Sequence, residues 1–176
     1  MRKVQFARFF VIGLIILINF ILQPILFQEI AFNGIVPNIF VITIVSFGLL
    51  RGRVEGAVVG VIIGLLHDIF YGDVIGFYAL IYMYIGYGTG FFHRTFYRES
   101  ILVPIAMIGI ADFFQNFIVY FFTFLFRGQL KLNLYFSMII IPELIYSVFV
   151  GFILYRIYYF INLYVEKNEW LKENED

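Results

Sequence analysis

The chain has 176 residues, of which 62% are hydrophobic, 22% aromatic and only 14% charged, with a mean hydropathy of +0.94. A water-soluble domain carries about 25% charged residues, so this chain cannot cover itself in water and reads as an integral membrane protein of one domain. The net charge of +0 removes the electrostatic case for nucleic acid, and the absence of cysteine removes disulfides, thiolate catalysis and Cys-ligated metals.

A membrane helix needs about 20 apolar residues, and six segments of the chain are read as such helices. The first, residues 6–27, follows Met1-Arg2-Lys3, carries Asn19 and Gln23, and ends near a kinking Pro24. It has no small-residue cleavage site and is expected to stay as an anchor. The second, residues 37–50, is short and has Pro37 at its first turn. The third, residues 54–71, follows the basic turn Arg51-Gly52-Arg53. Gly56, Gly60 and Gly64 lie four apart on it, and His67-Asp68 stands near its far end. Gly72, Asp73 and Gly76 then turn the chain back. The fourth, residues 76–92, carries Gly86 and Gly90 at the same spacing, with Tyr78, Tyr82, Tyr84 and Tyr87 along it. The fifth, residues 101–126, carries Asp112, Gln115 and Asn116. The sixth, residues 135–161, carries Pro142-Glu143 and Ser147.

These runs are continuous rather than alternating, which speaks against a β-barrel. The expected fold is therefore an all-α membrane protein, with six transmembrane helices in one bundle over residues 1–161. An acidic cytoplasmic tail over residues 162–176 follows, with Leu163, Trp170 and Leu171 as its apolar points. That tail is expected to run along or just off the inner interface, or else to dock a cytoplasmic partner. Lys and Arg set the orientation. With the N-terminus inside, ten of the twelve basic residues fall on the cytoplasmic side, and both termini are cytoplasmic. Arg127 and Lys131, in the fifth loop, are the two against the rule.

Depth follows from the rise per residue. Asp68 lies about 21 Å and Asn19 about 20 Å from the cytoplasmic face, Asp112 about 17 Å from it, and Glu143 about 12 Å below the outer face. Four helices thus bring Asn19, Asp68, Asp112 and Glu143 to the middle-to-outer zone, and the expectation is that they converge on one polar cavity or seam. Each also has a plainer role. Asp68 could cap the end of a short helix near the interface with its carboxylate in water, Asp112 could bond to Gln115 or Asn116 one turn on, and Glu143 could bond backbone freed by Pro142. His67 suits the interface better than a metal site. Gly56, Gly60, Gly64, Gly86 and Gly90 form close-approach faces, either for packing within the chain or for a partner's membrane helix. No catalytic triad, metal set or phosphate loop has sensible spacing, so no enzyme, metal or cofactor is expected.

Several features recur in order: Pro37-Asn38, Arg51-Gly-Arg with Glu55-Gly56, Gly60-x3-Gly64-Leu-Leu-His-Asp68, and Gly76-x2-Ala79-Leu80 with Tyr82. Gly86-Tyr87-x2-Gly90 and Pro142-Glu143-x2-Tyr146 complete the set. Together they resemble the bacterial rod shape-determining protein MreD family over nearly the whole chain. The resemblance implies a non-enzymatic scaffold of the cell-elongation complex in the bacterial cytoplasmic membrane. Its implied partners are MreC, through a membrane helix, and, alongside, the actin-like MreB and a wall synthase with its transpeptidase. The family also looks like the substrate-binding membrane subunits of energy-coupling-factor importers, a kinship of fold that does not transfer function. A solute-binding importer subunit is accordingly the alternative.

Overall fold

A computed structural model describes residues 2–29, 31, 34–93, 102–125 and 136–173. Among these residues six α-helices follow one another: α1 (Arg2–Glu29), α2 (Ile39–Arg51), α3 (Arg53–Tyr71), α4 (Phe77–Thr89), α5 (Leu102–Leu125) and α6 (Ile141–Glu173). A 3-10 turn, Gly90–Phe92, extends α4, and a π turn, Phe136–Ile140, leads into α6. The described residues contain no strand. The six helices match the six apolar runs in order. The basic fifth loop at Arg127 and Lys131 lies outside the described residues.

Four of the helices, α1, α3, α5 and α6, are long and apolar enough to cross a membrane. Six helices stand where six spans were expected, and two of them are short. α2 and α4 have 13 residues each, or about 20 Å, against a hydrocarbon core about 30 Å thick. α2 is not a lipid-facing element at all: every residue from Ile39 to Leu50 is buried. It touches all five other helices and forms the axis of the bundle. An apolar run of this length is as suited to a protein core as to lipid. The large apolar side chains that remain exposed, such as Phe113, Phe117 and Phe121 on α5 and Ile145, Phe149 and Phe152 on α6, cover the outside, where acyl chains serve as solvent.

Gly52 alone separates α2 from α3. Its φ of +92° is one that side chains disfavour, and its N–H closes α2 on Gly48 O at 2.9 Å while its carbonyl opens α3 to Gly56 N at 3.0 Å. The chain therefore reverses within one residue, and α3 starts level with the end of α2. Arg8, Arg51 and Asn162 line one small pocket, so the early part of α1, this reversal and the late part of α6 share one end of the bundle.

α6 runs on without a break into the residues of the acidic tail. It continues as helix to Glu173, because residues 162–173 contain neither Gly nor Pro, and Asn162 Nδ2 donates to Glu166 Oε1 one turn on at 3.1 Å.

Candidate functional site

Among the described elements, α3 and α4 are the pair most closely packed. A Cβ added at Gly56 would lie 2.7 Å from the Gly48 Cα, and at Gly60 it would collide with the Tyr82 carbonyl. At Gly64 it would strike Ala79, at Gly86 the Gly56 carbonyl, and at Gly90 the Arg53 backbone. Backbone thus meets backbone along the whole seam, as small residues allow. The helix these five glycines admit is a helix of the same chain. α4 fills the α3 face, and the start of α3 fills the space beside Gly90.

Asp68 closes the far end of that seam and is 1% exposed. Its Oδ2 accepts from the N–H groups of Gly76 (2.9 Å) and Ala79 (3.1 Å), and its Oδ1 accepts from Tyr78 N–H (3.0 Å). The first turn of a helix leaves several N–H groups without partners and carries the positive end of the helix dipole. α4 supplies both, so this buried carboxylate is fully engaged by backbone.

A second set of polar groups surrounds the N-terminus of α2. Asn38 caps α2 by accepting from Val41 N–H at 3.2 Å, donates its side-chain amide to Gln115 Oε1 at 2.5 Å, and donates its backbone N–H to Ser147 Oγ at 2.9 Å. One residue thereby joins α2 to α5 and α6. From α1, Gln23 Nε2 donates to Pro37 O at 3.3 Å, and its Oε1 accepts from Ile39 N–H at 3.1 Å. Asn38 and Ser147 also flank Asp112, and Asn38 and Asn116 flank Glu143. Asp112 is 0% exposed, yet neither of its carboxyl oxygens has a hydrogen-bond partner among the described residues.

Beside this junction lies a cavity of about 630 Å³. Gln23, Asn38, Gln115, Asn116 and Glu143 give it a polar wall, and Phe40, His67, Tyr71, Tyr78 and Tyr82 an aromatic one. The His67 ring packs 4.0 Å from Tyr78, centroid to centroid, and meets Phe40 at 5.8 Å. The described residues hold no group of His, Asp and Glu suited to a metal ion.

The four residues expected to converge are thus divided. Asp112 and Glu143 are neighbours, and Glu143 lines the cavity. Asp68 turns away to the start of α4. Asn19 belongs to a third cluster, donating to Thr43 Oγ1 at 2.9 Å and to Tyr158 OH at 2.7 Å, which pins α1 to α2 and α6. Depth alone grouped these residues, but rotation about each helix axis decides which neighbour a side chain meets. Sequence reasoning missed Asn38 as a site residue. Its signal was present, since Pro-Asn before an apolar run is an N-cap pattern. Thr43 and Tyr158 carried no such signal.

No curated protein and no solved structure significantly matches the chain. A family model, described as rod shape-determining protein MreD, matches residues 4–165, nearly the whole chain. With its helical membrane architecture and its polar residues arranged for packing, the chain belongs to the rod shape-determining protein MreD family.

Proposed function

We propose that this protein is a non-enzymatic, multi-pass scaffold of the bacterial cell-elongation complex in the cytoplasmic membrane. It binds MreC and helps to position lateral peptidoglycan synthesis, alongside MreB, the wall synthase and its transpeptidase. The observation that carries the reading is the family match over residues 4–165, because that family determines rod shape and is structural rather than catalytic. The internal chemistry agrees with it. Asp68, Asn19 and Asn38 are each held by helix-to-helix hydrogen bonds, which suits a rigid support. The glycine seam is occupied by α4, so the membrane helix of MreC meets an outer, lipid-facing surface of the bundle instead.

Single cysteines placed along the exposed faces of α4, α5 and α6 test this, in a chain with no native cysteine. MreC should crosslink to a contiguous stripe on one face, and depletion of the protein should round the cells. Cells that remain rods without the protein would overturn the reading.

The cavity favours a second reading, a solute-binding subunit of an energy-coupling-factor-type importer. Amides and aromatic rings converging on about 630 Å³ are the usual lining of a small-molecule site. A vitamin-like solute would then raise the melting temperature, and an energising transporter would copurify. The scaffold reading expects neither.

A further inference from the structure

A second concavity lies on the outside of the bundle, where α1 and α3 diverge. α1 packs its backbone on α2 and α6; it meets α3 through Arg8–Glu55 at one end and through Phe20 against Phe70 and Tyr71 at the other, and the gap between is a groove of about 1050 Å³. Its walls run from Arg8 to Leu17 on α1 and from Arg53 to Leu66 on α3. At 1.5 Å per residue these walls are about 14 Å and about 20 Å long. A hydrocarbon core about 30 Å thick makes one leaflet about 15 Å. The groove is therefore one leaflet deep. A partner's membrane helix, which needs the full thickness, would overrun it.

The two ends of the groove differ in chemistry. The shaft is apolar, lined by Ile16, Val58 and Ile62 among others. Among the described residues, the mouth holds Arg8, Arg51 and Arg53 against a single acid, Glu55. Glu55 is ion-paired with Arg8 across the mouth, and the balance of the four side chains stays positive. Arg53 stands at the first position of α3, where the helix dipole disfavours a cation. Its guanidinium lies 3.7 Å from the centre of the Phe91 ring, which holds the group by its flat face and leaves its N–H edge for an anion. The same helix start adds its own attraction for a phosphate.

Gly13 completes the picture. A Cβ there would meet nothing within 4 Å, so no packing among the described residues calls for a glycine. Glycine inside a helix is costlier than alanine, and here its effect is to widen the groove halfway along the α1 wall.

We propose that the α1–α3 groove binds one anionic phospholipid, with the phosphate at Arg8, Arg51 and Arg53 and an acyl chain along Gly13, Val58 and Ile62. The site lies at the basic end of the bundle, which the positive-inside rule assigns to the cytoplasmic leaflet, the one with the negative surface potential.

Native mass spectrometry of the full chain in detergent tests the proposal, with phosphatidylglycerol and phosphatidylcholine added in turn. The wild type should retain one phosphatidylglycerol in preference to phosphatidylcholine. Arg53→Gln should lower that preference about fivefold, the weight of one basic residue near an anionic headgroup. Gly13→Phe should remove the retained lipid at unchanged helix content. Ile62→Trp, from the opposite wall, should do the same and serves where Gly13→Phe fails to fold. Equal retention of the two lipids, or full retention in both groove variants, would overturn the proposal. Loss of copurifying MreC with lipid retention intact would overturn it too, and would make the groove a protein-docking surface.

Discussion

Asp68 illustrates how a charge is kept inside an apolar bundle. Its three backbone donors lie eight, ten and eleven positions further on, across the turn that links α3 to α4. Asp68→Ala leaves those donors buried without an acceptor, and the expected cost is about 1–3 kcal/mol. It should appear as a lower melting temperature of the purified protein in detergent. Asp68→Asn keeps one acceptor oxygen and should lose less. Asn38→Ala should be comparably harmful, because it removes the cap of α2 and the bond to Gln115 together. The sequence made Asp68 legible as an acid that needed a reason, but the capping open to it was of a helix end with the carboxylate in water, whereas the group is buried against the start of α4. Its partners were not legible, since they depend on how the next helix returns. Asn38 was visible only as part of a Pro-Asn pair, and its reach to Gln115 and Ser147 spans 77 and 109 positions.

Glycines at the scale of the element fall into two kinds that look alike in sequence. Gly60 lies under the Tyr82 carbonyl, which is backbone and cannot swing aside. Gly60→Leu should separate α3 from α4 and prevent recovery of a folded, monodisperse protein in size-exclusion chromatography. Gly88 faces open space on the outer side of α4. Gly88→Ala should stabilise by about 0.5–1 kcal/mol, read as a small rise in melting temperature. Four-residue spacing correctly marked the α3–α4 seam. The burial of α2 was hidden for a physical reason. In water an apolar face separates core from surface, but in lipid both inner and outer faces are apolar, so composition cannot tell a central helix from a peripheral one. Only its length, 13 residues, hinted at a helix that never meets acyl chains along its full course.

The whole molecule carries its basic turn, Arg8 and Asn162 at one end and the Asp73 turn at the other. With the basic end in the cytoplasm, Asp73→Cys should react with a membrane-impermeant thiol reagent in intact cells. Lys167→Cys should react only after permeabilisation. Labelling in the reverse pattern would invert the orientation. Helix order, the polarity of the two ends and the membrane class could be read from the sequence, because hydropathy and charge are local quantities. The division of the polar residues into three separate clusters could not, because it is set by packing between helices far apart in the chain.

The enclosure of α2 also bears on how the protein is made. Helices emerge from the ribosome in order, and α2 is synthesised before α5 and α6, which cover it and satisfy Asn38. A thirteen-residue segment with its partners still missing is a poor independent span. It is expected to enter the membrane joined to α3 through Gly52, as a hairpin whose second arm is long enough to hold it there. The final bundle closes only when α6 arrives. A chain interrupted before α6 would leave the Asn38 backbone N–H without its Ser147 acceptor in the bilayer.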